Sequence, residues 1–175
     1  MRILPLLCVL LVFLPPVEAH PEDFLFIAAQ GGASAASSST DPTLPEDDGA
    51  RVSVLGYHEF SPTQPPSAMR IRTDTFRKQM EAIKNLGLPV ITLADFIAWK
   101  KGEKELEPRS ILITIDDGWK SVYTDAFPIL KEYGFPFTIY LYTNYVDGGG
   151  RALTTPMIKE MQKHGCTIGS HSVSH

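Results

Sequence analysis

The stretch that decides how this chain is read is "RSILITIDDG", residues 109–118. Between Ile111 and Ile115 the one residue that is not aliphatic is Thr114, so there is no alternation of polar and apolar positions. A strand without a polar face is buried on both sides, as the strands of parallel α/β sheets are. Two carboxylates, Asp116 and Asp117, stand where that strand runs out, and Gly118 follows. Parallel α/β folds gather their reactive groups at the C-terminal ends of the strands.

Outward from this strand the pattern alternates. Before it, "RVSVLGYH" (51–58) reads as a strand and "SPTQPPS" (61–67) as a loop. "TDTFRKQMEAIKNLG" (73–87) reads as a helix capped by Thr73, with Phe76, Met80, Ile83 and Leu86 on one face and Gly87 as its stop. "LPVIT" (88–92) reads as a short strand and "LADFIAWKKG" (93–102) as a short amphipathic helix. After it, "DAFPILKEYG" (125–134) is a helix that Pro128 must start or kink, closed by Gly134. "FPFTIYLYT" (135–143) is a strand and "DGGGR" (147–151) a loop. "TTPMIKEMQKHG" (154–165) is a helix with Thr155 as cap and Pro156 at its first position, and "CTIGSH" (166–171) is a fifth strand. Alternating strands and helices imply right-handed crossovers and a parallel sheet. Five strands fall short of a closed (β/α) barrel, so an α/β fold with an incomplete barrel is expected.

The first 50 of the 175 residues differ in composition. Arg2, an apolar run from Ile3 to Leu14 and the Val17-Glu18-Ala19 segment fit a secretory signal peptide over 1–19, and the run is short for a membrane span. The alternative is an uncleaved N-terminal anchor. Residues 20–50, with "QGGASAASSSTDPTLPEDDGA", bury too little apolar surface to repay ordering and read as a flexible linker. Removing the leader leaves Cys166 as the one cysteine, so no intramolecular disulfide is available. It reads as a small buried residue, with a reactive thiol as the alternative. A net charge of −4 lacks the basic footprint that nucleic-acid binding needs.

Three clusters sit at the ends of expected strands: Tyr57-His58, Asp116-Asp117-Gly118, and "HSVSH" at 171–175. Adjacent carboxylates after a buried strand repel each other, and a cation relieves that. One acid then serves as ligand while its neighbour stays free for proton transfer. Asp-Asp-Gly alone is more often a plain turn that caps the next helix. His171 and His175 share a face if the segment after Ser170 turns helical. Imidazole suits zinc, and two histidines with one carboxylate leave a coordination position open.

Together "TIDDG" (114–118) and "HSVSH" (171–175) resemble, in order, the two leading motifs of the polysaccharide deacetylase family, the NodB-homology or carbohydrate esterase family 4 group. "LGYHEF" (55–60) and "FRKQMEAIKNLGLPVITLADF" (76–96) look like the lead-in of its poly-N-acetylglucosamine deacetylase branch. The resemblance covers residues 51–175. It implies a distorted (β/α) barrel and a divalent metal, zinc first, held by Asp117, His171 and His175. It makes Asp116 the general base and a polysaccharide the partner. Tyr57 and His58 would line the substrate groove. Trp119, next to the acids, could stack on a sugar ring there, with packing beside the barrel mouth as the alternative and more common role. The implied reaction is removal of N-acetyl groups by a metal-activated water. The alternatives are an O-acetyl esterase on xylan and a non-catalytic carbohydrate-binding remnant.

Family members continue past the second motif with an arginine-bearing groove motif, a tryptophan wall and a general-acid histidine, whereas this sequence stops at His175. The expectation is therefore an N-terminal part of the domain that alone binds metal weakly and turns over poorly. Nothing in the sequence fixes an oligomeric state.

Overall fold

The computed structural model describes residues 49–175, so the expected leader and nearly all of the expected linker lie outside the described residues. Ala50, assigned to the linker, is buried, and the Arg51 N–H donates to Pro108 O at 3.0 Å.

The central strand is β4, Arg109–Asp117. Its continuous apolar run is explained by its neighbours: β1 (Arg51–Tyr57) pairs on one side and β5 (Phe137–Leu141) on the other, both parallel. β6 (Cys166–Ser170) pairs parallel with β5, giving the order β1-β4-β5-β6. The polar atoms inside β4 are mostly matched, as burial demands: Thr114 Oγ1 donates to Leu55 O at 3.1 Å and Ser110 Oγ to Glu107 O at 3.3 Å.

Two very short strands, β2 (Glu59–Ser61) and β3 (Arg70–Arg72), form a separate parallel pair around the proline-rich loop. Three residues are too few for any periodicity to show. Conversely, "LPVIT" is not a strand. It touches β4 in a single bridge, Ile111 N–H to Pro89 O and Ile91 N–H to Ile111 O. Proline has no N–H of its own to extend a ladder.

The helices are α1 (Thr73–Asn85), α2 (Leu93–Lys100), α3 (Phe127–Tyr133) and α4 (Thr155–Gln162). Helix α1 buries Phe76, Met80 and Ile83, whereas Leu86 lies past its last turn and is 59% exposed. Thr73 does not cap it. Its hydroxyl donates to Asp125 Oδ1 at 3.1 Å, tying α1 to the segment before α3. Phe76 packs edge-on against Tyr57 and Phe60 with centroids 5.0 and 4.8 Å away, which seats α1 on the end of β1. Helix α2 carries the capping box: Thr92 Oγ1 accepts from Asp95 N–H at 3.1 Å, and Asp95 accepts from Thr92 N–H at 3.2 Å.

Pro128 starts α3, and the turn just before it, Val122–Ala126, is widened, with the Phe127 N–H reaching Val122 O. A proline ring collides with the carbonyl four residues earlier, and an added residue in the turn removes that collision. Helix α4 begins at Thr155, with Thr154 as the cap position rather than Thr155 itself. Its first turn is held by Asp147, which accepts from Thr155 N–H at 2.9 Å and from its hydroxyl at 2.6 Å. Cys166 is a buried free cysteine whose thiol is pushed up to about 12 by burial, which keeps it protonated.

Candidate metal centre

β4 carries Asp116 and Asp117 at its C-terminal end, and His171 follows the last residue of β6. β5 lies between these strands, with Leu141 opposite both Asp117 and Ser170. The His171 N–H donates to Leu141 O at 2.8 Å, which extends the ladder as far as the first histidine.

The backbone then separates the two carboxylates. Asp117 has φ +75° and Gly118 φ +93°, both in the left-handed region, which aspartate tolerates better than most residues and glycine freely. Asp116 Oδ2 lies 3.7 Å from His58 Nε2. Asp117 Oδ1 instead lies 3.3 Å from His175 Nε2 and 3.6 Å from His171 Nε2. Gly118 is required on two counts, because an added Cβ would also stand 2.7 Å from Leu141 Cδ2. Gly118→Ala is expected to destabilise the fold by about 1–3 kcal/mol. Urea unfolding would register it as a lower midpoint with an unchanged slope.

The segment after β6 is a turn and not a helix: Ser172 has φ +74°. The turn is tied to the loop after β5 by Thr143 N–H to Ser172 O at 3.3 Å and Asn144 N–H to Val173 O at 3.0 Å. It still places both imidazoles on one side, with ring centroids 5.1 Å apart.

Asp117 is buried, and its Oδ1 has no hydrogen-bond partner. A buried carboxylate oxygen left unmatched is costly. The donor spacing suggests what answers it. Ligands about 2.0–2.2 Å from a tetrahedral zinc stand about 3.3–3.6 Å from one another, and the two Asp117–imidazole distances are of that size. One donor atom from each of Asp117, His171 and His175 lies within 4.8 Å of the others. The chemistry of the set, two imidazole nitrogens and one carboxylate oxygen, fits a divalent cation.

Asp116 stands beside this cluster. Burial pushes its carboxyl up, His58 and His171 pull it down, Asp117 raises it and His175 lowers it. Tyr57 is turned away from the cluster. Its ring packs on Phe60 and Phe76, and its hydroxyl donates to Gln79 Oε1 at 2.9 Å. Strand alternation explains this: Tyr57 faces the core, and His58, one residue later, faces the acids.

Trp119 lies beside the cluster, and its Nε1–H donates to Asp117 Oδ2 at 3.0 Å. Its ring meets Tyr145 edge-on at 5.3 Å, Tyr145 stacks on Tyr142 at 5.0 Å, and Tyr142 meets His175 at 5.6 Å. Neither Tyr145 nor Arg151, whose guanidinium lies 4.7 Å from the centre of the Trp119 ring, was legible as a neighbour of the site. The aromatic residues of "YLYTNY" were the one available signal.

Residues 103–175 match the family model described as polysaccharide deacetylase. Over these residues the chain resembles the polysaccharide deacetylases. Its relatives include YxkH of Bacillus subtilis (strain 168), whose name places it among the polysaccharide deacetylases. That protein is 31% identical over 126 residues, which are 72% of this chain and 44% of the relative. A poly-beta-1,6-N-acetyl-D-glucosamine N-deacetylase of Staphylococcus epidermidis is 37% identical over 71 residues, 41% of this chain and 24% of that protein. The family fold is shared with the solved structure of IcaB from Ammonifex degensii at a TM-score of 0.63 and 29% identity, over 70% of this chain and 53% of that one. The chain thus spans less than half the length of these two curated relatives.

Proposed function

We propose that this protein is a secreted, divalent-metal-dependent hydrolase that removes N-acetyl groups from a glucosamine-type polysaccharide. The observation that carries the reading is the unmatched Asp117 Oδ1 set between two imidazole nitrogens at the C-terminal edge of a parallel sheet. Asp117, His171 and His175 hold the cation, zinc first among the candidates. When bound, it supplies a Lewis acid for the acetamide carbonyl and makes water more acidic.

The remaining steps belong to the chain. Asp116, beside the ligand set but not part of it, takes a proton from the attacking water as the water oxygen bonds to the carbonyl carbon. His58 Nε2 lies 3.7 Å from that carboxylate and helps to position it. The C–N bond then breaks, acetate leaves, and the nitrogen takes up a proton to become a free amine on the sugar. The likeness to poly-N-acetylglucosamine deacetylases supports an N-acetylated glucosamine polymer as substrate. Secretion rests on the leader read in residues 1–19. Among the described residues no helix is long and apolar enough to cross a membrane.

The test is acetate release by the zinc-loaded protein from N-acetylglucosamine oligomers and from O-acetylated xylan. Slow release from the oligomers, lost on chelation and restored by zinc, is the expected result. Release from xylan alone would make the protein an esterase, and metal uptake without any release would leave it a binding module.

A further inference from the structure

The loop with three consecutive glycines is stitched onto the residues that follow Asp117. Lys120 N–H donates to Arg151 O at 2.7 Å, Leu153 N–H donates to Gly118 O at 2.9 Å, and Trp119 and Ala152 form an antiparallel bridge. The Arg151 guanidinium lies over the Trp119 ring and also pairs with Glu59, which Arg70 holds from its other side at 2.9 Å. Beneath this clamp the indole N–H meets the one oxygen of Asp117 that does not face the histidines. The two oxygens of a single buried carboxylate are thereby given different partners.

We propose that Trp119 is a positioning residue for Asp117, and that Arg151, braced by Glu59, holds the indole in the orientation that does so. The inference rests on the metal site proposed above. By occupying Oδ2, the indole N–H keeps that oxygen from turning toward the cation, so that Asp117 offers Oδ1 alone. It also matches part of the charge of a carboxylate that is buried. The edge-on contact with Tyr145 and the guanidinium on the ring fix the indole plane from two directions. The loop from Asp147 to Leu153 therefore acts on the site without supplying a ligand.

The test uses the full 175-residue chain and zinc alone as probe, with affinity measured by competition against a chromophoric chelator. Trp119→Phe, which keeps the ring and removes the donor, is expected to weaken zinc binding about 10- to 100-fold. Arg151→Gln, at a side chain 65% exposed, is expected to weaken it about two- to five-fold by loosening the clamp. A second readout separates positioning from simple support of the fold. The chain has two tryptophans, so in a Trp99→Phe background the emission of Trp119 alone is seen. Zinc should shift that emission, because the carboxylate that accepts the indole hydrogen bond changes its charge environment on loading.

Native chain that takes up zinc beside a folded Trp119→Phe variant of equal affinity would overturn this inference and leave the metal site standing. Native chain that takes up no zinc would overturn both. If Trp119→Phe fails to fold by circular dichroism, Arg151→Gln with native affinity and a Trp119 emission indifferent to zinc would still overturn the inference.

Discussion

Asp116→Asn is expected to lower acetate release about 10²- to 10⁴-fold while zinc uptake stays at the native level. The first figure is the usual worth of a positioned general base. The second follows from geometry, because Asp116 Oδ2 faces His58 and is not among the three donors that converge. Asparagine has nearly the same volume, so the packing at the end of β4 is kept and only proton acceptance is removed. Acetate assay and metal analysis on the same preparation would check both halves. A variant that lost its metal would show that Asp116, and not only Asp117, acts as a ligand.

Asp117→Asn is expected to do the opposite, removing the metal first and activity as a consequence. Asparagine is the replacement of choice because it also tolerates φ +75°, whereas alanine would add backbone strain to the loss of a ligand. Its amide oxygen still accepts from Trp119, so the fold is kept. What disappears is the negative charge opposite two imidazoles. Protein zinc sites with four ligands are worth about 10–16 kcal/mol in all. One ligand is then about 2.5–4 kcal/mol, or about 10²- to 10³-fold in affinity. The apo variant should be no less stable than the native apo chain, since the unmatched Asp117 Oδ1 is a cost that the substitution reduces. Chelator competition and thermal unfolding of the metal-free proteins would test the two statements separately.

Much of the fold was legible because β4 is so plain. An apolar run without alternation fits burial on both faces, and Gly134 and Pro128 bound α3 by backbone restrictions that no tertiary contact can override. "LPVIT" failed as a strand because hydrophobicity was right while hydrogen-bonding capacity was not. Thr73 failed as a cap because the helix starts at Thr73 itself, with Arg72 in the cap position, and its hydroxyl donates to Asp125 more than fifty positions away. At the site, the residue types and order of the two motifs named the acids and imidazoles that the structure brings together. Their mode of convergence was not legible, since a turn with a left-handed Ser172, rather than a helix, carries the two histidines. The direction of Tyr57 was lost to a one-residue question of strand parity. The partners of Trp119 were hidden for a different reason. They arise from main-chain bonds between residues 118–120 and a glycine-rich loop, and such bonds leave little trace in side-chain pattern.

The left-handed pair at Asp117 and Gly118 has an evolutionary corollary. Because the kink sends neighbouring carboxylates to different places, the proposed tasks of holding an ion and moving a proton fall to adjacent but separate positions. On that proposal, a descendant that exchanged Asp116 alone would keep the three cation donors and the ring wall of Trp119, Tyr145 and Tyr142. Selection could then convert a hydrolase of this design into a sugar-recognising protein in one step. The reverse conversion would require only that a single carboxylate be restored to a scaffold already folded around it.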